Sequence, residues 1–139
     1  MSAQIDHVLR WYLWVLMGGL LLQGIGSLIF RLVPALLASM PLLVRGAFGI
    51  DFWHAWIHIV WGMAGLAVLS ISPTREPLRR LALIFGVFYA MLGMWGVLAH
   101  HPLGLELDLL ENAFHLTAGP LSLLFGLLAS LGKAGREGT

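Results

Sequence analysis

Four long apolar stretches without charge constrain this chain more than any other feature. They predict membrane spans at about 11–30, 52–70, 81–99 and 112–131. Stretches of about 20 apolar residues match a hydrocarbon core of about 30 Å. Only 11% of the 139 residues are charged and the mean hydropathy is +0.88, whereas soluble domains carry about 25% charged residues. Because a helix pairs its own backbone groups in lipid, residues 1–139 are predicted to form one all-α transmembrane domain, an integral membrane four-helix bundle in the lipid bilayer.

The segments between these spans set the expected topology. Pro34, Pro41 and Gly46 interrupt residues 32–50, which are therefore predicted to form an interfacial segment against the membrane surface. Of the eight Lys and Arg residues, six lie in the N-terminal segment, the middle turn and the C-terminal tail. The positive-inside rule then places both termini in the cytoplasm.

Several function classes lack support in the composition. The formal net charge of +1 predicts no nucleic-acid partner. The chain has no cysteine, which excludes disulfides, thiolate metal sites and cysteine nucleophiles. No arrangement of serine and histidine suggests a hydrolytic triad and no phosphate-binding loop is present, so a non-catalytic protein is predicted.

The second and fourth spans align with each other at an offset of 57 residues. This alignment pairs Asp51 with Asp108, His58 with His115, and Gly62 with Gly119. The first and third spans align in two registers that the sequence leaves open: one pairs Gly24 with Gly93, and the other pairs Gly19 with Gly86 and Gly26 with Gly93. Two spans per copy return the chain to its starting side, so we predict two tandem helical hairpins related by a parallel internal repeat.

His58 and His115 are the candidate cofactor-binding residues. The repeat places them at a similar depth inside the hydrocarbon zone, where ionisable side chains are functional candidates. The structural interpretation is a neutral imidazole that hydrogen-bonds a neighbouring helix or a carboxylate. The functional interpretation is axial ligation of a b-type haem between facing helices, or of a chlorophyll magnesium by each histidine separately.

A separate metal site is a second possibility at the outer face. His54 and His58 lie at i and i+4, a separation that can serve one metal ion. The side chains that could complete a zinc or copper site with His54 are Asp51, His100, His101 and Glu111. Asp51 and Asp108 also stand near helix starts, where the favoured interpretation is capping at the positive end of the helix dipole.

The motif Asn112, His115, Gly119 resembles the Asn-x-x-His-x-x-x-Gly pattern of a family of small bacterial four-span membrane proteins, the domain of unknown function 4383 family. The second span keeps His58 and Gly62 but has Ala55 in place of the asparagine. The resemblance covers nearly the whole chain. It implies a four-helix bundle in the bacterial cytoplasmic (inner) membrane and supplies no reaction.

Three functions follow as hypotheses. The first is an accessory or assembly subunit of a larger membrane complex, with a membrane-protein partner or a second copy of itself. The second is a haem- or chlorophyll-binding redox or photosynthetic subunit that uses His58 and His115. The third, a small transporter or channel, is less favoured because the spans lack a mid-membrane acidic residue.

Overall fold

The computed structural model describes residues 2–99, 104–105 and 107–137, and side chains from residue 4 to residue 130 within those ranges. All helices longer than one turn in these residues are α-helices, which confirms the all-α prediction. They are α1 (Ser2–Leu32), α2 (Pro34–Ser39), α3 (Leu42–Phe48), α4 (Phe52–Ile71), α5 (Arg75–Leu98) and α6 (Leu109–Glu137).

Four of the described helices are long and apolar enough to cross a membrane. The segments that meet both requirements are Gln4–Leu32, Phe52–Ile71, Arg75–Leu98 and Leu109–Ser130. By length and hydropathy the chain is therefore a multi-pass membrane protein, as predicted. The side of the membrane on which the termini lie stays a prediction.

Two of the long helices, α1 and α5, begin well before the spans predicted at 11–30 and 81–99. In α5 residues 75–80 already belong to the helix, and Glu76 pairs there with Arg79 and Arg80. Its Oε2 accepts a hydrogen bond from Arg79 Nε at 2.9 Å, and its Oε1 accepts one from Arg80 Nε at 2.8 Å. Pro77 lies in this first turn, where its missing N–H leaves no helical hydrogen bond unmade.

Residues 32–50, the predicted interfacial segment, form two short helices, α2 and α3, that break at Val33 and at Met40-Pro41. Side chains of α1 hold this segment in place. Gln23 Nε2 donates to the carbonyl oxygen of Ala47 at 2.7 Å, and Arg31 donates to that of Ile50 at 3.1 Å. These two hydrogen bonds hold the segment that follows α1 against α1.

The four long helices pack as two consecutive hairpins. α1 packs mainly on α4, and α5 packs mainly on α6, while α1 also contacts α6. Tyr12 joins the two hairpins, since its hydroxyl lies 2.6 Å from Ser122 Oγ and donates to the carbonyl oxygen of Ala118 at 3.1 Å. At one end of the first hairpin, Arg10 donates to the carbonyl oxygens of Leu69 and Ser72, at 3.0 and 2.8 Å.

Glycines bring the backbones of each hairpin close together. A Cβ added to Gly24 would lie 2.6 Å from the carbonyl oxygen of Ala55, and one added to Gly62 would lie 2.7 Å from Leu21 N. In the second hairpin, Gly86 meets Leu123, and Gly119 meets the backbone of Ala90. Because apolar burial does not draw helices together in lipid, such close contacts supply much of their packing energy.

We expect Gly24→Ala to destabilise the bundle by about 1–3 kcal/mol, because the methyl group would overlap backbone atoms of α4. Gly18→Ala is the matched control in the same helix, where an added Cβ meets nothing within 4 Å. That control should be neutral or stabilising by up to about 1 kcal/mol through helix propensity. Thermal unfolding in detergent compares the two, and equal effects would contradict the packing role of Gly24.

Candidate metal centre

Three histidines from two helices meet inside the bundle. His54 and His58 lie one turn apart on α4, and His115 faces them from α6. Their side chains are 0, 1 and 0% exposed. Ring centroids are separated by 4.5 Å for His54 and His58, 5.2 Å for His54 and His115, and 6.3 Å for His58 and His115. We call these three residues the histidine cluster.

The ring nitrogens of the histidine cluster converge without hydrogen-bond partners among the described residues. All six nitrogens are buried and none makes a hydrogen bond to a described residue. One nitrogen from each ring lies within 4.8 Å of one from each of the others. A buried polar group without a partner costs about 1–3 kcal/mol, so six such atoms in one place require an explanation.

Glu111 is an acidic side chain that contacts the cluster. It is 6% exposed, and its Oε1 lies 3.4 Å from Nδ1 of His54, slightly beyond a good hydrogen bond. Its other oxygen, Oε2, accepts a hydrogen bond from the backbone N–H of Asp108 at 2.8 Å. Asp108 Oδ1 in turn accepts from the backbone N–H of Glu111 at 2.8 Å. This reciprocal pair is a capping box, which holds the carboxylate beside His54 at the start of α6.

Asp51 has the corresponding capping role on α4. Its Oδ1 accepts a hydrogen bond from the backbone N–H of His54 at 2.9 Å. The predicted helix caps are therefore confirmed at Asp51 and Asp108. Both caps fix the first helical turn, from which His54 and Glu111 project toward each other.

An aromatic wall closes the cluster on the side of α5. The Tyr89 ring centroid lies 5.0 Å from that of His115 and 6.0 Å from that of His58. Its other face stacks on Phe85 at 4.1 Å. The Tyr89 side chain is fully buried, and its hydroxyl makes no hydrogen bond to the described residues.

The remaining motif residues position helices. Gly62 receives the backbone of α1 at Leu21, and Gly119 receives that of α5 at Ala90. The space beside each glycine is thus filled by a helix. Asn112 packs against Gly96, and its Nδ2 approaches the carbonyl oxygen of Leu107 at 3.5 Å.

The structure combines candidates that the sequence pattern had kept apart. It brings the predicted cofactor pair, His58 and His115, together with His54 and Glu111 from the predicted outer metal site. Asp51 caps α4 by accepting a hydrogen bond from the backbone N–H of His54. His100 and His101 lie outside the described residues. The signal for the combined site was present in the offset of 57 residues, which pairs His54 with Glu111 as it pairs His58 with His115.

The class of protein is thus a multi-pass helical membrane bundle with a buried histidine cluster. Comparison of the chain with family models, with curated proteins and with solved structures found no match. The resemblance to small bacterial four-span proteins therefore stays a prediction.

Proposed function

We propose that this membrane protein binds one transition-metal ion inside the bilayer through His54, His58 and His115. The convergence of three buried imidazoles, whose nitrogens make no hydrogen bond within the part of the chain that the structure describes, carries this proposal. A tetrahedral ion with metal–nitrogen distances of about 2.0–2.1 Å sets its ligands about 3.4 Å apart. From a separation within 4.8 Å, ring movements on the order of 1 Å reach that geometry.

Glu111 supports this site through its contact with Nδ1 of His54. A ligating histidine commonly directs its second ring nitrogen to a carboxylate, which orients the ring and raises its basicity. With Nδ1 of His54 facing Glu111, Nε2 is left for the ion. The carboxylate also offsets one positive charge of a divalent ion, which lowers the cost of holding that ion in a low dielectric.

Three nitrogen ligands narrow the choice of metal. Imidazole suits zinc, copper, iron and nickel, whereas magnesium and calcium prefer oxygen ligands. Three protein ligands leave a fourth position open, as in zinc sites that bind water or a substrate. The proposed ion is therefore a divalent metal of the zinc, copper, iron or nickel group with one open position.

The ring positions favour a single ion over the haem or chlorophyll hypothesis. A haem held by His58 and His115 would lie between their rings. The His54 ring lies beside that gap, at 4.5 and 5.2 Å from the two others, in space that the macrocycle would need. Its displacement would be needed before a porphyrin could enter, whereas a single ion uses all three rings as they stand.

We further infer that the two hairpins form the predicted parallel repeat, which relates the two halves of the site. Gly62 meets Leu21, and Gly119 meets Ala90. Leu21 and Ala90 correspond in the register that pairs Gly24 with Gly93, which supports that register over the alternative. The accessory-subunit hypothesis stays compatible with a metal site, and native mass spectrometry of gently extracted protein tests it by the presence of a partner or a second copy.

We expect His58→Gln and His115→Gln to weaken metal binding by on the order of 100-fold or more, because each removes a ligand. His7→Gln is the matched control, since His7 is exposed on α1 and outside the cluster. Elemental analysis of purified protein gives stoichiometry, and titration of the metal-free protein with zinc and with copper gives affinity. A chelator should lower the melting temperature of the wild type and have little effect on either cluster variant. Wild-type affinity in both cluster variants would contradict the proposal.

The capping box gives a separate test of how Glu111 is held. Asp108→Ala should lower metal affinity by about 10- to 100-fold, because it removes the acceptor that anchors the turn carrying Glu111. Asp108→Asn should retain most of the affinity, because asparagine caps a helix comparably well. Both variants are titrated with the same metal. If the two lose affinity equally, the box does not act through Glu111 as proposed.

A further inference from the structure

A cavity of about 670 Å³ lies directly beside the histidine cluster. His58, His115 and Glu111 are among its lining residues. The rest of its wall is mostly apolar and comes from α1, α3 and α6. Representative wall residues are Val15, Gly19, Phe48, Leu110 and Phe114. A volume of this size falls within the range of about 300–1,000 Å³ typical of small-molecule sites.

The cavity opens on the outside of the bundle. Two of its lining residues, Val15 and Leu22, are 72 and 67% exposed. Both belong to α1, within a segment that is long and apolar enough to cross a membrane. A molecule would therefore enter from the hydrocarbon phase, with its apolar part among the side chains of α1 and α6.

Charge limits the kind of molecule that fits. No lysine or arginine occurs among the described lining residues, so a phosphate headgroup would have no cationic side chain to pair with. Glu111 lines the same cavity and supplies one negative charge beside the proposed ion, so the open position needs no second anion. A neutral molecule with an oxygen at one end fits both conditions. Phe48 and Phe114 line the same space and suit a flat ring.

We propose that this cavity binds a neutral, lipid-soluble quinone from the bilayer, with one ring oxygen directed at the histidine cluster. That oxygen takes the fourth position of the ion, so the inference rests on the proposed metal site. The wall of α1, α3 and α6 holds the ring and the start of its apolar tail. His58 and His115 belong to both the ion site and the cavity wall, which links occupation of the two.

This proposal is tested by titrating the protein in lipid nanodiscs with decylubiquinone. Quenching of tryptophan fluorescence measures the binding. Gly19→Phe should weaken binding by about tenfold or more, because Gly19 lines the cavity and a phenyl ring there would fill it. Gly18→Phe is the matched control, since an added Cβ at either glycine meets nothing within 4 Å and Gly18 does not line the cavity. The control should bind decylubiquinone as the wild type does.

The metal content of every sample separates this inference from the proposed function. Gly19→Phe should retain the ion, because it leaves the three ligands unchanged. Retained metal with weakened quinone binding in Gly19→Phe alone supports the inference. If the wild type binds no metal, the proposed function is overturned. The decylubiquinone titration of that metal-free protein then shows separately whether the quinone binds the cavity. Equal decylubiquinone binding by both phenylalanine variants, or displacement of the quinone by equimolar oleate, overturns the inference.

Discussion

The cost of placing three imidazoles in an apolar interior is the constraint on which the rest of this structure depends. In hydrocarbon no water is present to pair with a ring nitrogen, so each buried nitrogen needs a partner from the protein or from a ligand. His54, His58 and His115 find no hydrogen-bond partner among the described residues. A shared metal ion would satisfy one nitrogen of each ring at once. The glycine contacts and helix caps then have a common consequence, because they bring these rings together.

The helix contacts explain how two hairpins can hold such a cluster without a large soluble domain. Gly62 and Gly119 admit neighbouring backbones about one turn beyond His58 and His115. The close approach fixes the rotation of α4 and α6 about their own axes, and with it the direction of the histidines. Asp51 and Asp108 fix the first turn of the same helices. Each helix segment that carries a histidine is thus fixed at its N-terminal cap and at its glycine contact with a neighbouring helix. These two constraints determine where the rings lie.

Hydropathy and local chemistry predicted the larger features of this fold. The four spans follow from apolar length, and the caps at Asp51 and Asp108 follow from an aspartate placed before an apolar helix. The meeting of His54 with His115 and Glu111 did not follow, because it depends on how each helix is rotated. In a soluble protein the apolar face of a helix indicates that rotation, but a membrane span is apolar on nearly all sides. The start of α5 was also missed, since residues 75–80 were expected in the middle turn but are helical, with Glu76 paired to Arg79 and Arg80.

The difference between the two halves of the site has a physical reason. At matching positions one turn before the paired histidines, α4 carries His54 and α6 carries Glu111. A second histidine in place of Glu111 would add a fourth neutral ligand and leave both charges of a divalent ion uncompensated in a low dielectric. A carboxylate in place of His54 would leave the proposed ion only two imidazole ligands, His58 and His115. One of each would give that ion three nitrogen ligands and one compensating charge. The mixed pair thus suits one divalent ion with an open position better than either symmetric arrangement.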